Sequence, residues 1–136
     1  MNREELVRSA FAAMQNAYAP YSGYTVGAAL MTRSGKVYLG CNIENAAYGP
    51  TNCAERTAFF KAVSEGEREF SMIAVVGGKG GKVNSLFVPC GVCRQVMAEF
   101  CDGDFEIIVA ENEKNYKIFT LSEMLPMGFS PKNITE

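Results

Sequence analysis

Histidine is absent from the 136 residues, so any general acid or base working near neutral pH has to be a carboxylate, Lys, Cys or Tyr with a displaced pKa. No apolar run approaches the ~20 residues of a membrane-spanning helix, and the N-terminus lacks the basic, apolar, small-residue order of a secretory signal. Positive charge is not in surplus either. With 13 basic against 15 acidic residues, the chain is not composed to hold a polyanion, and a small-molecule substrate fits better than nucleic acid. Five cysteines is an odd number, which argues against a secreted disulfide framework and for reduced thiols in the cytoplasm. The length predicts one domain over residues 1–136, with room for a substantial core.

Hydrophobic periodicity then lays out the elements. Leu6, Val7, Ala10, Phe11, Met14 and Ala17 form one apolar stripe at helical spacing between Arg3 and Tyr18, and Glu4 and Glu5 in its first turn suit the helix dipole. Pro20, Ser22 and Gly23 end it. Val26 to Thr32 reads as a strand, Arg33-Ser34-Gly35-Lys36 as a hairpin turn, and Val37 to Ile43 as the antiparallel partner. Glu44 to Thr51 reads as a loop, followed by a helix from Cys53 to about Glu65 that Gly66 stops. Phe70 to Val76 is an interior strand, and the Gly77 to Gly81 run is read as a flexible loop. Its two lysines do not make a phosphate cradle, because the G-x-x-x-x-G-K-[ST] spacing is missing. A helix from Cys90 to Cys101, strands at Phe105 to Ala110 and Tyr116 to Phe119, and a helical turn from Ser122 to Leu125 complete the chain. Helices alternating with strands after an initial hairpin predict an α/β domain with a mixed sheet covered on both faces.

The chemistry concentrates at Asn52-Cys53-Ala54-Glu55-Arg56 and Pro89-Cys90-Gly91-Val92-Cys93. Cys90 and Cys93, three apart at a helix start, can grip one ion, and Cys53 begins a second helix; helix N-termini favour thiolates. Three protein ligands leave a zinc ion one position for water, with Glu55 as the base beside it. Zinc with three thiolates carries a net negative charge, which Arg56 could offset by donating to sulfur, with Arg94 a weaker candidate. Competing readings exist for each piece. Asn52 with Glu55 three residues on is a capping-box pattern. Cys90-Gly91-Val92-Cys93 taken alone could be a redox dithiol, although that gives Cys53 no role. A closed four-cysteine site would need Cys41, which spacing does not exclude, or Cys101, which lies too far along its helix. Thiolates also suit iron.

At these residues the chain resembles the cytidine deaminase family, in particular its small homotetrameric type with three cysteine ligands. The likeness is carried by Tyr18-Ala19-Pro20-Tyr21-Ser22, Val26-Gly27-Ala28-Ala29-Leu30, Gly40 to Tyr48, Cys53-Ala54-Glu55-Arg56, Pro89 to Gln95, and Leu125-Pro126 with Phe129. It implies a three-layer α/β/α sandwich around a five-stranded mixed sheet. It also implies one zinc per subunit on Cys53, Cys90 and Cys93, and hydrolysis of cytidine and 2′-deoxycytidine to the uridines and ammonia, as in pyrimidine salvage. Glu55 would take a proton from the water on the zinc and deliver protons to ring N3 and the leaving amine. Ala54 would offer its backbone amide to the pyrimidine carbonyl, and Asn42 and Glu44 would bind the ribose. Tyr24 stands where relatives commonly have Phe against the substrate. Phe129, and with it Tyr48, would reach across from a neighbouring subunit of a homotetramer. A deaminase of another aminopyrimidine nucleoside, such as a nucleoside antibiotic, and a non-catalytic zinc or dithiol protein are the alternatives.

Overall fold

The computed structural model describes residues 1–135. Helix α1, Arg3–Met14, starts at a capping box in which Asn2 Oδ1 accepts from Glu5 N–H at 2.8 Å and Glu5 returns the bond to Asn2 N–H at 3.1 Å. It is one turn shorter than its apolar stripe predicts. Asn16 and Ala17 N–H bond three residues back, tightening the last turn, and Tyr18 N–H goes instead to Asn42 O at 2.9 Å. The chain is thereby drawn out of the helix to the end of the second strand.

Strands β1, Tyr24–Thr32, and β2, Val37–Cys41, form the expected hairpin. Helix α2, Ala54–Ser64, leads to β3, Phe70–Lys79; helix α3, Gly91–Phe100, leads to β4, Glu106–Ala110. Strand β5, Tyr116–Thr120, and the short helix α4, Leu121–Met124, follow. The sheet order is β2-β1-β3-β4-β5, with β3 and β4 parallel and the other neighbours antiparallel. One correction concerns Gly77 to Lys79, read from sequence as loop. They extend β3, pairing with Val26, Thr25 and Tyr24. The glycines serve close approach here: a Cβ on Gly78 would lie 2.0 Å from Lys82 O, and one on Gly77 would lie 2.9 Å from the Phe87 ring.

The result is a three-layer α/β/α sandwich. Leu6, Val7, Ala10 and Met14 of α1 pack on one sheet face against Ala29, Ala74, Val76 and Ile108. On the other face, α2 and α3 cover Ala28, Leu30, Ile73, Val75, Ile107 and Val109, with Phe59 fully buried among Phe70, Phe100 and Phe105. Alternation along each strand assigns the two cores, because neighbouring residues point to opposite faces. Two glycines let the helices sit close: Gly27 faces Ala10 and Met14 of α1, and Gly40 faces Ala54 and Ala58 of α2. The N-termini of α2 and α3 are thus held on one side of the sheet.

Candidate active site

Cys53 and Cys90 are the N-caps of α2 and α3, both in extended conformation and neither making a side-chain cap hydrogen bond. Their sulfurs are directed at each other instead. Cys53 Sγ lies 3.8 Å from Cys90 Sγ, and Cys90 Sγ lies 3.6 Å from Cys93 Sγ. All three lie within 4.8 Å of one another. Three ligands of a tetrahedral zinc with bonds of about 2.3 Å stand about 3.8 Å apart, so the donor set fits zinc in number, chemistry and spacing.

Neither Cys41 nor Cys101 joins this cluster. Gly40 faces α2, so Cys41, next along β2, projects from the opposite face of the sheet. Cys101 terminates α3 and packs against the core, where burial pushes its thiol up to about 12. A closed four-sulfur site is therefore not formed, and a bare dithiol leaves the third sulfur, at the same spacing, without a purpose.

Glu55 sits in the first turn of α2 and is 3% exposed. The capping box that Asn52 and Glu55 suggest does not form: Asn52 Nδ2 donates to Thr57 Oγ1 at 3.2 Å, and Glu55 turns inward. Burial pushes its carboxyl up to about 7, repulsion from Cys53 adds to the rise, and its own backbone N–H opposes it. A carboxyl held there can both accept and return a proton at neutral pH. Beside it, Arg56 Nη2 donates to Cys53 Sγ at 3.2 Å, while Arg56 Nε is buried with no hydrogen-bond partner among the described residues. Burial alone would lower the Arg56 pKa, but hydrogen bonds to Cys53 and Cys93 outweigh it and raise the value. The thiols divide in turn: Cys53 is pulled down by hydrogen bonds from Cys93 and Arg56, and Cys93, which shares that proton and is buried, is pushed up. A guanidinium committed to sulfur suits a set of thiolates carrying excess negative charge. Arg94 is engaged elsewhere, donating to Pro89 O at 2.8 Å and Met124 O at 2.7 Å, so it anchors α3 to α4 and does not serve sulfur.

A second group adjoins this centre because Ile43 and Asn52 exchange two backbone hydrogen bonds of 2.9 Å, bringing Asn42 to Glu44 beside the start of α2. Thr57, which the sequence reading passed over, strengthens the link by donating to Cys41 O at 3.0 Å. Only its place one turn after Cys53 could have flagged it. Asn42 is buried and held to β1, its Oδ1 accepting from Val26 N–H at 2.9 Å and its Nδ2 donating to Tyr24 O at 2.8 Å, which leaves a second N–H and a second lone pair of the amide. Glu44 accepts from Tyr21 N–H at 3.0 Å and Ser22 N–H at 3.1 Å, and from the Ser22 hydroxyl. With Tyr21, Tyr48 and Thr51 it lines a cleft of about 370 Å³. Tyr48 is 73% exposed and left-handed at φ 64°, a costly conformation for a non-glycine residue that its turn imposes through Tyr48 N–H to Asn45 O. Tyr24 rests on Phe87 with Lys79 Nζ 5.8 Å from its ring centre. Ala54, fully buried, opens α2, where backbone N–H groups have no intrahelical partner.

The structure brings Cys53, Cys90, Cys93, Glu55 and Arg56 together, and Glu44 with Tyr48. Phe129 does not line the cleft: it lies beyond α4, exposed, with its carbonyl held by Gln95 Nε2 at 2.8 Å.

Comparison with known proteins agrees with this geometry. Residues 1–110 match the family described as the cytidine and deoxycytidylate deaminase zinc-binding region. The chain is 47% identical over 135 residues to a cytidine deaminase of Sporosarcina psychrophila, covering 99% of this chain and 96% of that one. It is 46% identical over 136 residues to a cytidine deaminase of Halalkalibacterium halodurans, covering both in full. Among solved structures, a cytidine deaminase from Burkholderia pseudomallei superposes with a TM-score of 0.87 at 45% identity, over 95% of this chain and 100% of that one.

Proposed function

Since the chain belongs to the cytidine and deoxycytidylate deaminase family, we propose that it is a zinc-dependent hydrolase converting cytidine and 2′-deoxycytidine to the uridines and ammonia. The observation that carries this is the three-sulfur cluster with a buried carboxyl beside it, on two helix N-termini.

Cys53, Cys90 and Cys93 would hold the zinc. When bound, the ion supplies Lewis acidity that makes a water acidic enough to act as a nucleophile near neutral pH. Glu55 takes one proton from the attacking water and delivers it to ring N3, then takes the second from the hydroxyl now on C4 and delivers it to the amine as the C4–N bond breaks; oxygen is gained at C4 as the carbonyl and ammonia is lost. With no histidine in the chain, this carboxyl is the group whose environment suits the traffic. Arg56 holds Cys53 as thiolate. The Ala54 amide orients the pyrimidine carbonyl, Asn42 and Glu44 face the sugar side, and Tyr24 flanks the base.

Tyr48 and Phe129 stand exposed on their own chain, and exposed aromatics of this size favour an interface. We read them as elements of a neighbouring subunit's site in a homotetramer, each subunit a single domain over its 136 residues. No helix among the described residues is long and apolar enough to cross a membrane, and the free thiols suit the cytoplasm, where such an enzyme would serve pyrimidine salvage. The test is cytidine absorbance measured alongside metal content. Zinc-loaded protein is expected to deaminate cytidine, and Glu55→Gln to keep its zinc while losing about 10²- to 10⁴-fold in turnover or more. Zinc-loaded protein that leaves cytidine unchanged refutes the proposal.

A further inference from the structure

Glu44 and Tyr24 are joined by one side chain. Ser22 Oγ bonds to Glu44 Oε2 and accepts from Tyr24 N–H at 3.0 Å. The direction of the first bond is fixed: an ionised carboxylate has no proton to give, so the serine hydroxyl donates. Glu44 Oε1 takes the Tyr21 and Ser22 amides. A carboxylate offers about four acceptor positions; this loop fills three, and the remaining one is on the oxygen that Ser22 holds. The same bonds, the Ser22 hydroxyl foremost, keep the Glu44 carboxyl below the usual carboxylate range, so it stays an acceptor at neutral pH.

We propose that Ser22 is a positioning residue for nucleoside binding, turning the last free acceptor of Glu44 into the cleft. This rests on the function proposed above. Ser22 acts through Glu44, so its loss is felt by ligands that offer Glu44 a hydroxyl and hardly by those that do not, while the chemistry at C4 lies apart from it.

Zinc-loaded wild type, Ser22→Ala and Ser22→Thr are compared by calorimetric titration with uridine and with 2′,3′-dideoxyuridine, alongside cytidine kinetics. Loss of a hydrogen bond to a charged group at a partly exposed site is expected to weaken uridine about tenfold in Ser22→Ala. Dideoxyuridine affinity should change less than about twofold, KM for cytidine should rise about tenfold with kcat falling less than about threefold, and Ser22→Thr should recover most of the loss. Equal weakening of both ligands, a fall in kcat with KM unchanged, or no effect of Ser22→Ala overturns the proposal while the enzyme's activity stands. A wild type that neither binds uridine nor deaminates cytidine overturns this proposal and the function together.

Discussion

Replacing Gly40 by Ala tests whether the site depends on how closely α2 sits on β2. A Cβ there would lie 2.3 Å from Ala54 O and 2.6 Å from Ala58 N, about 1 Å short of ordinary contact. Both atoms belong to helix backbone, so no side chain can swing aside and the helix has to move. Overpacking of this kind costs about 2–3 kcal/mol, little of it returned by the stiffer unfolded chain. For a chain of this size that lowers Tm by roughly 8–12 °C. Because the displaced turn carries Cys53 and Glu55, a shift near 1 Å should also reduce kcat about 10²-fold. Gly27→Ala is the matched control: its Cβ would lie 2.0 Å from Ala10 O and 2.6 Å from Met14 N, the same insult delivered to α1 on the far face. Its Tm should fall comparably while kcat, measured well below the transition, changes less than about threefold. Thermal melts, zinc content and cytidine turnover on both variants decide the matter. Equal effects of the two on kcat, or a Gly40→Ala enzyme with wild-type turnover, would refute the reasoning.

Thr57→Val removes the hydroxyl that ties α2 to Cys41 O and Asn52; stability should drop by about 1 kcal/mol, seen in denaturant melts, with a larger fall in kcat than any surface valine produces. Acid should weaken the fold in two separable ways. Glu113, paired with Arg8 at 2.7 Å, and Glu44, hydrogen-bonded to Ser22, are both held below the usual carboxylate range. Each therefore stabilises the folded chain above its ordinary pKa of about 4.3, and that stability is lost as pH falls through the lower folded value. In melts against pH, about 1 M salt should erase the exposed Arg8–Glu113 contribution and leave that of Glu44, whose partners are uncharged; an acid limb indifferent to Glu113→Gln at low salt would contradict the assignment.

The hairpin, the three helices and the mixed sheet were readable because their apolar residues repeat with clean periods and their turns carry Gly or Pro. The stretch from Gly77 to Lys79 was misread because composition cannot distinguish glycine used for freedom, as at Gly80 and Gly81, from glycine used for proximity. Only the tertiary contacts of Gly77 and Gly78 with Phe87 and Lys82 reveal the second use. The zinc-type ligand set was legible as spacing. The Ser22, Glu44 and Tyr24 chain was not, since it joins residues 22 apart through a loop that has no period of its own.

The Asn-x-x-Glu pattern occurs at two helix starts, and the difference between them carries the chemistry. At Asn2 and Glu5 it closes a reciprocal capping box at the surface. At Asn52 and Glu55 the cap position has moved one residue on, to Cys53, whose sulfur faces two others and not the helix amides. The Asn52 side chain is drawn off to Thr57 and its backbone N–H to Ile43 O, so Glu55 has no free N–H of Asn52 to return to and goes inward. Buried there, it pays desolvation that a surface capping glutamate avoids, and its carboxyl rises to about 7 for that reason. A helix start optimised for stability would keep the box, worth about 1 kcal/mol. This one forgoes it and buries an acid in its place, the arrangement that the proton-transfer role proposed for Glu55 requires.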